Sequence, residues 1–100
     1  MRLTYPTTLV LQALIQGHQH GFDIMDATGL PSGTVYPILR RLEADGCVRS
    51  QWEAHSEAVK EQRPPRRVYQ LSARGRGIAA EAIGRYRLLQ DVTAAATSRS

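Results

Sequence analysis

Five arginines fall into two tight groups, Arg40 with Arg41 and Arg63, Arg66 and Arg67 around Pro64 and Pro65. The guanidinium is a permanently charged planar fork that can grip a phosphate, or the edge of a guanine, through two hydrogen bonds. The chain is basic, with a net charge of +4, and Lys60 is its one lysine. A basic excess by itself serves solubility as well as binding. What matters is whether the arginines share one face of one element.

The remaining chemistry-bearing residues form no catalytic or metal pattern. His18 and His20 have an HxH spacing, but no cysteine or acid triplet accompanies them, so they read as a solvated connector. His55 and Cys47 complete no zinc-ligand spacing, and Cys47 reads as a small hydrophobe beside a strand. No serine or cysteine sits in a motif that would position a base and an oxyanion site. Neither an enzyme nor a cofactor is expected. A lone cysteine cannot form an internal disulfide, which fits a reducing cytoplasm. The apolar stretch from Leu9 to Ile15 is broken by Gln12 and has no small-residue cleavage site after it, so it is not read as a signal peptide. No apolar run approaches the roughly 18–20 residues that span a bilayer, so no membrane partner is expected.

At 100 residues, with 42% hydrophobic and 22% charged residues, the chain suits one small globular domain. Leu9, Val10, Ala13 and Leu14 make an apolar stripe on a helix from Thr7 to Gln16, capped by Thr7 or Thr8, with Pro6 just outside and Gly17 as its stop. A shorter helix runs from about Gly21 to Thr28, with Phe22, Ile24, Met25 and Ala27 as apolar members, and ends at Gly29. Ser32 caps a third helix that stops at Gly46 and tolerates Pro37 near the end of its first turn. Its inward stripe is Val35, Ile38, Leu39 and Leu42.

After Gly46 the period changes from helical to alternating. Cys47–Trp52 and Arg67–Leu71 read as the strands of a hairpin, with the polar stretch from Glu53 to Arg66 as an extended tip. Ser72 caps a last helix reaching about Ala95, in whose first turns Gly75 and Gly77 cost about 1 kcal/mol each. Its stripe is Ile78, Ala79, Ala82, Ile83, Tyr86 and Leu89. The fold class is mainly α with a small β-hairpin: a winged helix-turn-helix over residues 1–71, and a C-terminal helix over residues 72–100 packed on the same domain.

These elements position the arginines. At about 100° per residue, the side of the third helix opposite its apolar stripe holds Gly33, Pro37, Arg40 and Ala44, flanked by Tyr36 and Arg41. No acid stands at its centre. Small residues let the backbone approach a groove floor, Arg40 and Arg41 can reach base edges or phosphates, and Tyr36 can bind a phosphate oxygen. Ser32, Gly33 and Thr34 present the free amides of a helix N-terminus. Arg63, Arg66 and Arg67 form a second basic cluster on the wing. Duplex DNA is the expected partner; the rival reading is a protein-interaction module that turns the same basic face to an acidic protein.

Two segments also resemble a known family. Gly21–Glu53, GFDIMDATGLPSGTVYPILRRLEADGCVRSQWE, is similar to the PadR family of bacterial transcriptional regulators, and Arg63–Gly75, RPPRRVYQLSARG, to that family's second wing strand and last helix. Phe22 stands where the family usually carries tyrosine, which keeps the ring and loses a hydroxyl. The resemblance implies a repressor, often released from DNA by a small aromatic or drug-like effector; as a symmetric dimer it would bind a pseudo-palindromic operator. It also implies a homodimer formed through the C-terminal helix, here by Ile78, Ala82, Ile83, Tyr86 and Leu89. The length of that helix and its alanines point the same way. Trp52, the one tryptophan, either packs beneath the wing or lines an effector pocket together with Tyr86.

Overall fold

In the computed structural model residues 3–98 are described, the side chains of residues 57 and 88–98 excepted. Three helices come first: α1 (Tyr5–Ile15), α2 (Gly21–Thr28) and α3 (Ser32–Ala44). They are followed by β1 (Val48–Trp52), α4 (His55–Lys60), β2 (Arg67–Leu71) and the long α5 (Ala73–Ser98).

Helix α1 starts two residues earlier than its sequence suggested. Thr4, not Thr7 or Thr8, is the cap, its hydroxyl accepting from the Thr7 amide at 3.4 Å. Pro6 lies inside the first turn, where a missing N–H leaves nothing unsatisfied. Thr7 and Thr8 are therefore buried helical residues, and the Thr8 hydroxyl donates to the Thr4 carbonyl. Leu11, outside the expected stripe, is fully buried, because α1 is packed on several sides at once by α2, α3 and α5. The core joins Val10, Leu11 and Leu14 to Ile24, to the α3 stripe of Val35, Ile38, Leu39 and Leu42, and to Cys47, Val48, Tyr69 and Ala79. Phe22 does not belong to it and stands 71% exposed.

Pro31 rather than Ser32 occupies the cap position of α3, so Pro37 sits in the second turn instead of ending the first. A proline there cannot donate to the carbonyl four residues back, that of Gly33. Both residues lie on the side of α3 away from the core stripe.

The wing is an antiparallel pair in which Val48 faces Leu71 and Trp52 faces Arg67. The outer edge of β2 is also engaged, for the Tyr69 amide donates to the Gln19 carbonyl at 2.8 Å. The connector between α1 and α2 thereby abuts the sheet. The segment between the strands differs from the expected extended tip: it folds into α4, whose Ala58 is buried. The chain returns through hydrogen bonds from the Arg63 amide to the Ala58 carbonyl and from the Glu53 amide to the Arg66 carbonyl.

Ser72 caps α5 as expected, its hydroxyl accepting from the Gly75 amide and donating to the Gly46 carbonyl. Gly75 is required by close approach: a Cβ there would lie 2.0 Å from the Cys47 carbonyl oxygen. The loss of helix propensity at Gly75 is thus the condition for seating α5 on the root of the wing. Further along, α5 runs against α1, with the Tyr5 and Tyr86 rings edge to face at 5.4 Å and the Tyr86 hydroxyl donating to the Leu3 carbonyl. Among the described residues no helix is long and apolar enough to cross a membrane.

Candidate nucleic-acid interface

The core stripe of α3 turns its opposite side to solvent. Ser32, Gly33, Arg40, Arg41 and Ala44 are exposed, and Thr34 and Pro37 are partly covered. The side chains of Arg40 and Arg41 are in no hydrogen bond or ion pair with another described residue. Tyr36 leans toward α2 at the edge of this face. Gly21 makes room for it, since a Cβ on Gly21 would meet the Tyr36 hydroxyl at 2.3 Å. The ring is 36% exposed, so Tyr36 is both packed and available at its edge.

The wing arginines have a different electrostatic setting. Glu53, just past the end of β1 where the segment between the strands begins, is a hub that the sequence did not reveal. Arg63 grips both its carboxylate oxygens, one through Nη1 and the other through Nη2 at 2.9 Å. Arg66 Nη2 and His20 Nε2 each stand 3.7 Å from Glu53 Oε2. The hydrogen bond from Arg63 holds the Glu53 carboxyl below the usual carboxylate range; burial opposes this, and the charges of Arg63, Arg66 and His20 reinforce it. His20 is further oriented by Asp23, its Nδ1 lying 3.1 Å from the carboxylate.

A second network ties α3 to the wing. The Ser50 hydroxyl donates to Glu43 Oε1 at 2.5 Å and accepts from Arg67 Nε at 3.1 Å. Arg67 Nη2 is 3.9 Å from the same Glu43 oxygen, and its guanidinium lies 5.3 Å from the centroid of the Trp52 ring. Tyr69, beneath this network, has its phenol pushed above the ordinary range first by burial. Arg67 and Arg40 oppose that shift, while Tyr36 and Glu43 add to it. At neutral pH the phenol is protonated.

The structure therefore brings Tyr36, Arg66 and Arg67 to one cleft between α2, α3 and the wing, with Arg40 and Arg41 on α3 itself. Arg63 is turned onto Glu53. Trp52 does not pack beneath the wing: it is 66% exposed and borders that same cleft. Tyr86 lines a different, smaller cleft with Tyr5 and Ile83, so within one chain the expected Trp52–Tyr86 pocket does not form. Of the expected dimer contacts, Ala82 is 1% exposed inside its own chain and has no surface left for a partner. Ile78, Ile83 and Tyr86 are partly exposed, and the side chain of Leu89 lies outside the described residues. Among the described residues no cluster of three His, Cys, Asp or Glu could hold a metal ion.

The sequence profile of the transcriptional regulator PadR-like family matches residues 10–81. No curated protein sequence is similar to the chain. Among solved structures, a PadR family transcription regulator from Clostridium difficile R20291 superposes with a TM-score of 0.74 at 20% identity, over 89% of this chain and 94% of that one. PcaV from Streptomyces coelicolor, solved with its natural ligand, gives 0.77 at 20% identity, over 92% of this chain and 61% of its own. BpsR from Bordetella bronchiseptica, whose DNA binding is regulated by 6-hydroxynicotinic acid, gives 0.69 at 20% identity, over 90% and 59%. The chain spans about three-fifths of those two regulators. At such identities the likeness establishes the winged-helix fold alone.

Proposed function

Because the chain is a member of the PadR-like family of transcriptional regulators, we propose that it is a cytoplasmic, sequence-specific repressor that binds a pseudo-palindromic operator as a homodimer and is released by a small aromatic effector. The observation that carries this reading is the exposed face of α3, where Arg40 and Arg41 project without an acidic partner beside the small residues Gly33 and Ala44. Such a face enters a major groove without first breaking an internal ion pair, and its arginines can take up guanine edges or phosphates. Ser32, Gly33 and Thr34 offer backbone amides to a phosphate at the helix start, Tyr36 and Pro37 flank the groove contact, and Arg66 and Arg67 follow the backbone from the wing. Arg63 serves mainly by bracing Glu53.

Dimerisation is assigned to α5 through Ile78, Ile83 and the exposed edge of Tyr86, with Leu89 further along the same helix. The ligand-responsive regulators PcaV and BpsR share the fold and support an effector-controlled switch. The role is binding, and no reaction is assigned to it.

The test is selection of bound fragments from a random duplex library at physiological salt with excess competitor. A two-fold-symmetric motif that is lost in Arg40→Ala is the expected result. Failure to recover any motif, with binding that vanishes as salt rises, would overturn the reading in favour of a basic surface for an acidic protein.

A further inference from the structure

The outer edge of the wing is only partly covered. In the hairpin the Ser72 amide donates to the Cys47 carbonyl at 2.9 Å, and the Glu53 amide to the Arg66 carbonyl at 2.7 Å. With Arg49 opposite Gln70 and Gln51 opposite Val68, the even-numbered residues of β2 are therefore those that bond to β1. Its odd-numbered residues, Arg67, Tyr69 and Leu71, turn their backbone groups outward. The Tyr69 amide is taken by the Gln19 carbonyl, but the Tyr69 carbonyl and the Leu71 amide have no hydrogen-bond partner among the described residues. Unpaired groups along a strand edge are a template for another chain.

Beside these groups lies a cleft of about 270 Å³, bordered by the end of α1, the edge of β2 and the first turn of α5. Leu14, Ile15 and Leu71 give it an apolar wall, of which Ile15 is 48% exposed. Arg76, from the first turn of α5, lines the cleft as well. It is exposed, and its guanidinium is in no hydrogen bond or ion pair with another described residue. An extended residue lying beside Gln70 and parallel to β2 satisfies both free edge groups. Its amide donates to the Tyr69 carbonyl, and its carbonyl accepts from the Leu71 amide. The next residue then turns its side chain to the face that Leu71 occupies, where Leu14 and Ile15 line the cleft. A strand in this direction runs toward α5 and Arg76, a cation suited to a terminal carboxylate.

We propose that this edge binds the free C-terminal end of a partner protein as a third strand parallel to β2, with its last side chain apolar and its carboxylate on Arg76. Backbone pairing supplies affinity for any extended chain, while Arg76 and the apolar wall select a chain end over an internal segment. None of these residues is among the proposed DNA contacts, so occupancy of the site does not depend on DNA.

The probe is a fluorescein-labelled hexapeptide that ends in Thr-Val-Leu with a free carboxylate, titrated into the full chain. It should bind saturably in fluorescence anisotropy. Its C-terminal amide should bind about tenfold more weakly, because a charge-assisted hydrogen bond is lost. Methylating the valine amide nitrogen removes the donor to the Tyr69 carbonyl, and ending the peptide in serine empties the apolar wall; each should weaken binding about tenfold. Arg76→Gln, at an exposed position, should abolish the preference for acid over amide while leaving the urea melt unchanged. In hydrogen exchange, the Leu71 amide should exchange freely in the unbound chain and become protected when peptide is bound. No saturable binding up to millimolar peptide overturns the site. Equal affinity for acid and amide, or a preference that survives Arg76→Gln, overturns the capture of a chain end by Arg76. Tolerance of the methyl group, or a Leu71 amide left unprotected, overturns the strand pairing, and equal affinity for the serine-ended peptide overturns the role of the apolar wall.

Discussion

Arg40 and Arg41 project from α3 with no acidic partner among the described residues, whereas each arginine of the cluster near the wing tip has a carboxylate within ion-pair distance: Glu53 for Arg63 and Arg66, Glu43 for Arg67. The same residue type is thus put to two uses. The α3 pair can accept a polyanion without losing an internal partner. In the wing, each phosphate must compete with a carboxylate already in place, so the net gain per contact is smaller. In exchange, those carboxylates hold the guanidinium groups in fixed positions before DNA arrives, which lowers the entropy lost on binding. Under the proposed DNA-binding reading, α3 would contribute affinity and the wing register.

This contrast can be broken or sharpened in several ways. The largest effect is expected from Gly75→Ala, which drives a methyl into the Cys47 carbonyl and unseats α5 from the root of the wing. A loss of roughly 2–3 kcal/mol of stability is expected in urea melts, since a backbone oxygen cannot rotate aside as a side chain can. A melt unchanged within error would mean that α5 sits differently there.

Arg40→Ala should lower operator affinity by about 1–3 kcal/mol, and random-duplex affinity by less, if its guanidinium reads a base. Equal loss on both duplexes, measured by fluorescence anisotropy, would reduce Arg40 to a phosphate contact and erase the distinction drawn between α3 and the wing.

Glu53→Gln separates charge from positioning. Removing a carboxylate from the proposed DNA-binding surface should raise random-duplex affinity, most at low salt. Freeing Arg63 and Arg66 from their anchor should at the same time narrow the ratio of operator to random binding. The variant also has a pH signature. The carboxyl of Glu53 titrates below its ordinary value of 4.5, so its contribution to stability is complete above that pH and is lost as the pH falls through the lowered value. The stability advantage of the parent chain over the variant should therefore shrink below about pH 4.5, and a constant offset down to pH 2 would contradict the hub.

The smallest effect distinguishes two arginines three residues apart. Arg66→Ala should reduce the slope of log K against log salt by about 0.9 for each phosphate contact removed, while Arg63→Ala should leave the slope nearly unchanged. A similar drop for both would place Arg63 on the DNA after all.

Much of this architecture was legible in the residues because punctuation and periodicity act locally. Helix α2 and strand β2 have the bounds that their sequence suggested, Gly21–Thr28 and Arg67–Leu71. A glycine ends the first, taking up the left-handed conformation at Gly29, and strict alternation marks the second. Helix α4 was missed because Ala58 is the one buried residue among its described side chains, too small a signal in a polar stretch that also carries Pro64 and Pro65. Phe22 was misplaced because an aromatic residue on a short helix reads as core unless the packing partner is known.

By itself, the sequence determined that this chain is a winged helix-turn-helix with a basic outward face on its third helix, since apolar spacing and turn chemistry are properties of neighbouring residues. Only the tertiary structure decided which arginines stand clear and which are held. Glu53 is ten residues from Arg63 and Glu43 twenty-four from Arg67, and the Coulomb energy between them depends on their separation in space, which sequence spacing does not encode. The same holds for the cleft, where side chains from α2, α3 and the wing meet only once the hairpin is seated against the helices.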